Sequence, residues 1–223
     1  AAPGAVHCYS DLGILLLGAA LEVVGGDRLD RLWDARVRRP TGVDLRFGWP
    51  DAAATEDCPV RRRVIVGEVH DLNAAVMGGI APHAGLFGSA GEAAACAAWQ
   101  LRAWQGRGDE GLDPELVRTA WGWTAAGSHH LGWDGVSQPG STAGPSWPPD
   151  GVGHLGFTGT SLWVAPRQDV IVCLCTNRVH PTIEGGASPG QPVGPRTRAF
   201  RALRPAVHRA IVAALAAGGR WPG

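Results

Sequence analysis

The chain has 223 residues, 45% of them apolar and 18% charged, which excludes a disordered polymer and predicts a packed globular body. Its 20 basic residues, all arginines, balance 20 acidic residues, so no net field favours nucleic acid or an anionic membrane as partner. The absence of lysine excludes a P-loop lysine, a Schiff-base lysine and a lysine general base from these residues.

The first predicted elements are two helices. Ser10 or Asp11 can cap an almost uniformly apolar helix that ends at Gly25-Gly26, and such a helix is expected to be buried. Asp27 can cap a second helix, which is predicted to run through Arg38 and to end at Pro40. The two helices are expected to form a hairpin.

A long irregular segment follows, from residue 41 to about 82, where Gly, Pro and Asp are frequent and no period is sustained. Ser89 and Glu92 predict a capping box before an Ala-rich helix that ends at Gly106. Asp113-Pro114-Glu115 predicts another helix start.

Strand patterns dominate after Gly122. TSLWVAP and DVIVCLCTN, separated by Arg167-Gln168, predict an antiparallel hairpin, with GHLGFTG as the strand before it. Arg198, Arg201, Arg204 and Arg209 are read as the solvated side of a terminal helix, and Pro205 must kink or begin that helix. Its apolar face is predicted to comprise Phe200, Leu203, Val207, Ile211 and Leu215.

The predicted fold class is therefore α+β, with a three-strand antiparallel meander and a C-terminal helix packed on the sheet. We expect a helical region over residues 1–135, containing the long loop at 41–82. Strands and the terminal helix then occupy residues 136–223 of the same catalytic domain.

Several site patterns fail on context. GVGHLG at 151–156 matches GxGxxG, but a strand-like run follows where a dinucleotide site needs a helix. His129-His130, His70-Asp71 and His83 have no third ligand at a helpful spacing, which favours structural or solvated histidines. The tryptophans around the change from helix to strand are read mainly as core, with cleft lining as the alternative.

The cysteines and the chain start bear on compartment and cofactors. Cys8, Cys58, Cys96, Cys173 and Cys175 form no CxxC, and the alternation in VIVCLCTN predicts small buried thiols at 173 and 175. No cofactor and no metal is expected. Reduced thiols favour the cytoplasm slightly over the cell envelope, although the compartment stays unknown. No signal core or bilayer-spanning run is found, and AAPGAV indicates a processed or truncated start.

Two segments carry a family resemblance. PG-x4-YSD at 3–11 resembles the Tyr-x-Asn/Asp second motif of class C β-lactamase and penicillin-binding-protein-like serine hydrolases, and His154-Leu155-Gly156 stands where that family has Lys/His-Thr-Gly. The intervening stretches agree in order with one branch of the family. They are TE-DCP-R (55–61), GEVHDLNA (67–74), GGIAPHAGLFGSA (78–90) and GFTGTSLWVAPRQDVIVCLCTNRVHPT (156–182).

The resemblance implies a β-lactamase/transpeptidase-like fold and an acyl-enzyme mechanism on an ester, lactam or peptide-like amide. It implies that Tyr9 is the proton shuttle, that Asp11 orients substrate or lysine, and that His154 contacts a substrate carboxylate or the tyrosine. The turn at Gly156, Phe157 and Thr158 would bind substrate, with the Phe157 N–H as an oxyanion donor. The implied substrate is a small molecule or peptidoglycan-like.

Two departures qualify this expectation. Leu155 replaces the usual threonine, which favours esterase-like use, and the family's Ser-x-x-Lys nucleophile motif does not occur within a lysine-free chain. We therefore expect an N-terminal third carrying that motif upstream, as a partner segment, and expect this chain alone to be inactive. The alternative is a noncatalytic relative that keeps the cleft as a binding module for peptidoglycan-like or peptide ligands.

Overall fold

A computed structural model describes residue 2 and residues 5–108, 111–123, 127–137, 140–184 and 192–221. The chain divides into two compact units. The helical unit comprises Cys8–Cys96 and Val179–Ile183, and the sheet unit comprises Ala1–His7, Ala97–Arg178 and Glu184–Gly223. Among the described residues, no helix is both long and apolar enough to cross a membrane.

The helical unit begins with α1 (Asp11–Gly25), whose N-cap is Ser10 and whose C-cap is Gly26, as the sequence predicted. The expected burial of α1 is wrong. Only Gly18 is buried, while Val23 and Val24 are 83% and 87% exposed. The helix is apolar on nearly every side, and the described residues of its own unit cover only the narrow strip around Gly18, where Pro82 approaches.

The second helical segment continues past its predicted end. It consists of α2 (Leu29–Trp33), a π-helical turn (Asp34–Arg38) and α3 (Arg39–Thr41), closed by Gly42 with φ of 73°. Its N-cap is Arg28 rather than Asp27, although Asp27 accepts a hydrogen bond from the Arg28 N–H at 2.8 Å. Pro40 lies inside the segment because it falls in the first turn of α3, where proline's missing N–H is tolerated.

The irregular stretch after Gly42 is ordered, as predicted, by short elements. Strand β1 (Arg46–Phe47) pairs with β4 (Leu86–Phe87), and β2 (Asp57–Cys58) pairs with β3 (Arg63–Val64). Helix α4 (Leu72–Val76) starts at the N-cap Asp71, and a small core of Val69, Ala74 and Ala81 lies beneath it.

The chain passes between the units within α5 (Ala90–Trp104), and α6 (Pro114–Gly122) follows with Asp113 as its N-cap. Ser89 accepts the Glu92 N–H at 3.1 Å, as a capping box requires. The reciprocal half of the box is absent because the Glu92 carboxylate instead accepts the Asp44 N–H at 2.6 Å.

Among the described residues, the sheet of this unit has four antiparallel strands rather than the predicted three. The predicted β6 (Val152–Leu155), β7 (Ser161–Ala165) and β8 (Val170–Leu174) are joined by β5 (Asp134–Gly135), in the order β5-β6-β7-β8. Strand β5 was missed because two residues carry no alternation. The segment 157–159 is a turn, not the end of a strand.

Helices pack against both faces of the sheet, because neighbouring residues of a strand point to opposite sides. Val164 packs in a cluster with α5 and α6, while Trp163 and Ala165 pack in a second cluster with α7 (Pro195–Ala217). Trp121, Trp147 and Trp163 are buried, which confirms the core reading for these three.

The inward side of helix α7 overlaps the predicted apolar face without matching it. Its buried residues are Thr197, Arg204 and His208, and Pro205 lies inside the helix. Of the predicted face, Leu203 is exposed, whereas Phe200, Val207, Ile211 and Leu215 are half-buried. Assigning Arg204 to the solvated side was therefore wrong. Its guanidinium Nη2 donates to the Thr160 carbonyl at 3.2 Å, so this buried arginine has a backbone hydrogen-bond acceptor within the sheet unit.

Candidate active site

Tyr9 and Asp11 lie at the start of α1, on either side of its cap. The Leu12 N–H donates to the Ser10 hydroxyl at 3.3 Å, which fixes the point where the extended chain becomes helix. Tyr9 lies just before the cap and is 65% exposed, and Asp11 is the acidic residue of the first turn. Ser10 therefore determines where both predicted site side chains leave the backbone.

An open cleft of about 470 Å³ adjoins this helix start. Its polar lining is Ser10, Asp11 and Asn73, and its apolar lining is Leu12, Leu15, Val76 and Met77. Asp11 is thus the predicted site residue that lines a cavity inside the helical unit. A mainly apolar cleft with a few polar groups is the usual form of a small-molecule site.

Asp71 and His83 lie near Asp11 in the helical unit. The Asp71 carboxylate accepts the Ala74 N–H at 2.8 Å and lies 3.0 Å from His83 Nε2. Burial pushes the pKa of Asp71 upward, but the Ala74 N–H and the His83 side chain outweigh it, so the pKa is lower than that of an ordinary aspartate. Arg61 donates to the carbonyls of Val69, His70 and Asp71, which holds the turn before α4.

The second part of the predicted site is on β6, in the sheet unit. His154 is exposed, pairs with Leu162 across the ladder, and places Nδ1 3.0 Å from the Leu155 carbonyl oxygen. Because a carbonyl oxygen only accepts, Nδ1 carries the hydrogen. In the neutral ring Nε2 is then the acceptor nitrogen. Leu155 packs against the inner cluster of Trp147 and Trp163 instead of presenting a polar group.

A tight turn follows His154 and contains the predicted substrate-binding residues Gly156, Phe157 and Thr158. The Gly156 N–H donates to the Thr160 carbonyl at 2.9 Å, and the Gly159 N–H donates to the Gly156 carbonyl at 3.0 Å. A side chain at Gly156 would collide with the Thr160 hydroxyl. The Thr160 side chain would therefore have to move to admit any larger residue at 156.

Two residues that the sequence analysis left without a role hold this turn. Arg178 donates from Nε to the Phe157 carbonyl at 2.7 Å and from its backbone N–H to the Thr158 carbonyl at 2.7 Å. Its guanidinium lies 4.6 Å from the centre of the Phe157 ring. The Thr176 hydroxyl donates to the Gly159 carbonyl at 2.5 Å. TNR at 176–178 lies within the family-like segment 156–182, and that membership was the sequence signal that could have pointed to Thr176 and Arg178.

The structure describes each half of the predicted site within its own unit. Tyr9 and Asp11 belong to the helical unit, and His154, Gly156, Phe157 and Thr158 belong to the sheet unit. Asp11 and Asp71 both come near His83 in the fold, a grouping that no spacing along the sequence indicated.

Comparison with known proteins identifies the family. The family model described as Beta-lactamase matches residues 1–189, which include both motifs. The chain belongs to the β-lactamase family. Solved structures agree with this family's fold. A β-lactamase from Mycobacterium bovis superimposes with a TM-score of 0.63 at 17% identity, over 96% of this chain and 66% of that one. The β-lactamase/transpeptidase-like fold predicted from the sequence is confirmed.

A second solved structure with a similar fold is a hydrolase by its description. EstCE1, described as a hydrolase with promiscuous acyltransferase activity, superimposes with a TM-score of 0.56 at 24% identity, over 78% of this chain and 51% of that one.

Curated relatives of this β-lactamase family chain are longer proteins. An Escherichia coli K12 protein named "Putative D-alanyl-D-alanine carboxypeptidase" is 31% identical over 205 residues, which cover 80% of this chain and 46% of that protein. A Bacillus subtilis N-acetylmuramyl-L-alanine amidase is 28% identical over 218 residues, covering 83% of this chain and 48% of that protein. The chain thus spans about half the length of these relatives.

Proposed function

We propose that this chain is the portion of a serine hydrolase that carries the family's second motif, at Tyr9–Asp11, and its third motif, at His154–Gly156. The complete enzyme would form an acyl-enzyme on an ester, lactam or peptide-like amide. One observation carries the proposal: both motifs stand at defined places in the fold, within a β-lactamase family match over residues 1–189. Tyr9 and Asp11 lie at the start of α1, and His154 lies on β6 just before the tight turn that Arg178 holds. In that role Tyr9 moves the proton of the attacking serine, and the Phe157 N–H donates to the developing oxyanion.

The nucleophile is proposed to come from a Ser-x-x-Lys segment outside the 223 residues. The exposed apolar side chains of α1 support this, since a soluble protein rarely leaves so apolar a helix uncovered. Helix α1 carries the site residue Asp11, so a segment lying on this helix would stand beside the site. This chain alone is then inactive.

The names of the relatives support a substrate class. A D-alanyl-D-alanine carboxypeptidase and an N-acetylmuramyl-L-alanine amidase both act, by name, on amide bonds of peptidoglycan components. We propose a peptidoglycan-like amide or a small ester as substrate. Leu155 favours the ester, because its side chain packs inward and offers no hydroxyl to a substrate carboxylate.

The experiment uses the protein encoded by the whole gene. It is labelled with a fluorophosphonate and with a fluorescent penicillin, and turnover of a chromogenic ester, a chromogenic lactam and a peptide ending in D-Ala-D-Ala is measured. Tyr9→Phe is expected to lower turnover about a hundredfold or more, as loss of a proton-transfer group does. His130→Gln, a change at a histidine outside the proposed machinery, is the matched control and should keep full activity.

The single tyrosine gives a second readout, because nitration of the protein can modify only Tyr9 within these residues. Nitration should abolish turnover in parallel with probe labelling. Turnover by the 223-residue chain that disappears in Tyr9→Phe would contradict the external nucleophile.

The noncatalytic alternative is favoured by one observation, the absence of lysine and hence of Ser-x-x-Lys from the 223 residues. A gene without Ser-x-x-Lys upstream, together with no probe labelling but measurable binding of peptidoglycan fragments, would establish the binding module instead.

A further inference from the structure

Three side chains from distant parts of the sequence meet in the helical unit. Asp11 stands in the first turn of α1, Asp71 caps α4, and His83 lies in the loop before β4. Each offers one ligand atom, and these three atoms all lie within 4.8 Å of one another. Within the part of the chain that the structure describes, this is the group of three such side chains that could hold a metal ion.

His83 turns one ring nitrogen towards Asp71. Its side chain is 8% exposed, and Nε2 lies 3.0 Å from an Asp71 oxygen. Nε2 is therefore the ring nitrogen that His83 offers to this group, and Nδ1 lies on the other side of the ring.

The cluster opens on the cleft beside α1. Asp11 belongs to both, and Ser10 and Asn73 add a hydroxyl and an amide to the same lining. The cluster therefore presents two carboxylates and an imidazole, with Asp11 at the edge of the open cleft.

We propose that Asp11, Asp71 and His83 bind a divalent transition-metal cation, with Zn²⁺ as the fitting ion. Two carboxylates and one imidazole are a donor set that zinc accepts, and three protein ligands leave its fourth position open. Zinc bonds to such ligands are about 2.0–2.2 Å long, so the ligand atoms need only a small inward movement, which the exposed Asp11 can supply.

The metal site does not depend on the proposed hydrolase, since its three ligands lie in the helical unit alone. It bears on that hydrolase through Asp11. A bound cation would take the carboxylate away from orienting a substrate or a lysine, so zinc would regulate the proposed reaction by competition.

The test titrates ZnCl₂ into the metal-free chain by isothermal calorimetry. One equivalent is expected to bind, and Asp11→Asn and His83→Gln should each weaken the affinity at least tenfold. Asp51→Asn and His130→Gln are the matched controls for the lost carboxylate and the lost imidazole, and both should bind as the parent does. Thermal unfolding without metal shows that each variant folds, and the exposed Asp11 makes Asp11→Asn the safer variant.

Exposed thiols also bind zinc, so the titration is repeated with Cys8 and Cys175 both changed to serine. Binding that persists there and falls with Asp11→Asn supports the site. Binding that is lost with the thiols, that is unaffected by Asp11→Asn, or that is absent at millimolar zinc overturns it. None of these outcomes depends on hydrolytic turnover.

Discussion

Gly18 is the point at which α1 meets Pro82. A side chain built on Gly18 would have its Cβ 2.5 Å from Pro82 Cγ and 3.0 Å from Pro82 Cβ. Gly18 is also the buried residue of this helix, whose other described side chains are exposed or half-buried. The approach of helix and proline ring therefore determines how the segment carrying Tyr9 and Asp11 is attached to its unit.

We predict that Gly18→Ala destabilises the chain relative to Gly13→Ala by about 1–3 kcal/mol, the usual cost of overpacking. Both changes add the same methyl group to the same helix and gain the same helix propensity, about 1 kcal/mol. They differ because nothing lies within 4 Å of a side chain at Gly13. Urea unfolding of the two variants measures the difference, and equal midpoints would refute the close approach.

The caps of α1 and α6 could be predicted because they depend on local chemistry. Ser10 and Asp113 accept backbone N–H groups from residues two positions on, which is information carried by neighbouring letters. The burial of α1 and the inward face of α7 could not be predicted in this way. Both depend on which surfaces other elements cover. The apolar pattern that includes Leu203 does not show which element packs against it, and Leu203 is exposed.

Gly153 faces Trp163 across the β6–β7 pair. A Cβ at Gly153 would collide with the indole of Trp163 and would lie 2.6 Å from the Leu162 carbonyl oxygen. Gly153→Ala is expected to cost at least about 1–3 kcal/mol, because Trp163 is buried and cannot move aside. Gly122→Ala, with open space around the new methyl, is the control in the same unit. Thermal unfolding of both variants should separate them clearly.

Cys175 is predicted to be the reactive thiol of the sheet unit. The expectation that Cys175 is buried was wrong, since it is exposed just beyond β8, and Cys173 is half-buried. A hydrogen bond from the Cys173 thiol lowers the pKa of Cys175 to about 6, whereas the same pairing raises the pKa of Cys173. At pH 7 a larger fraction of Cys175 is therefore thiolate than of an ordinary cysteine.

Removing the donor with Cys173→Ala should return the pKa of Cys175 towards the ordinary value of about 8.5. Alkylation of Cys175 by iodoacetamide at pH 7 is then expected to slow several-fold, because the thiolate is the reactive form. Mass spectrometry of the peptides locates the label, and alkylation of Cys8 in the same sample is the internal control. An unchanged rate at Cys175 would show that Cys173 does not donate to it.

The motifs of the candidate site could be predicted from the sequence, but the residues that hold those motifs in place could not. YSD and HLGF are short segments whose residue order is itself the signal, and the structure places them at a helix start and at a strand end. Arg178 stands 21 residues from the Phe157 carbonyl that it holds, and His83 stands 12 residues from Asp71. Such pairs follow from tertiary folding, so no spacing rule could have matched them.

His208 gives the chain an acid-sensitive contact in its core. The imidazole is fully buried on α7, and its ring centre lies 4.8 Å from that of Trp147, with the two rings tilted by 35°. Its Nδ1–H donates to the Ala143 carbonyl at 2.8 Å. Burial lowers the pKa of His208. The nearby Arg204 guanidinium lowers it further, against the opposing effect of the Ala143 carbonyl.

This lowered pKa determines the sign of the pH dependence. Below the unfolded pKa of about 6.5 the unfolded chain binds a proton that the folded chain does not, so the free energy of unfolding falls as the pH falls. The loss reaches at most about 1.4 kcal/mol per pH unit and ends at the folded pKa. We expect His208→Gln to be less stable than the parent at pH 8, because ring packing is lost, and yet to lose less stability between pH 7 and pH 5. Urea denaturation at both pH values measures this difference, in which the other titrating groups cancel. Equal losses in the two proteins would mean that His208 takes up its proton as easily inside the folded chain as outside it.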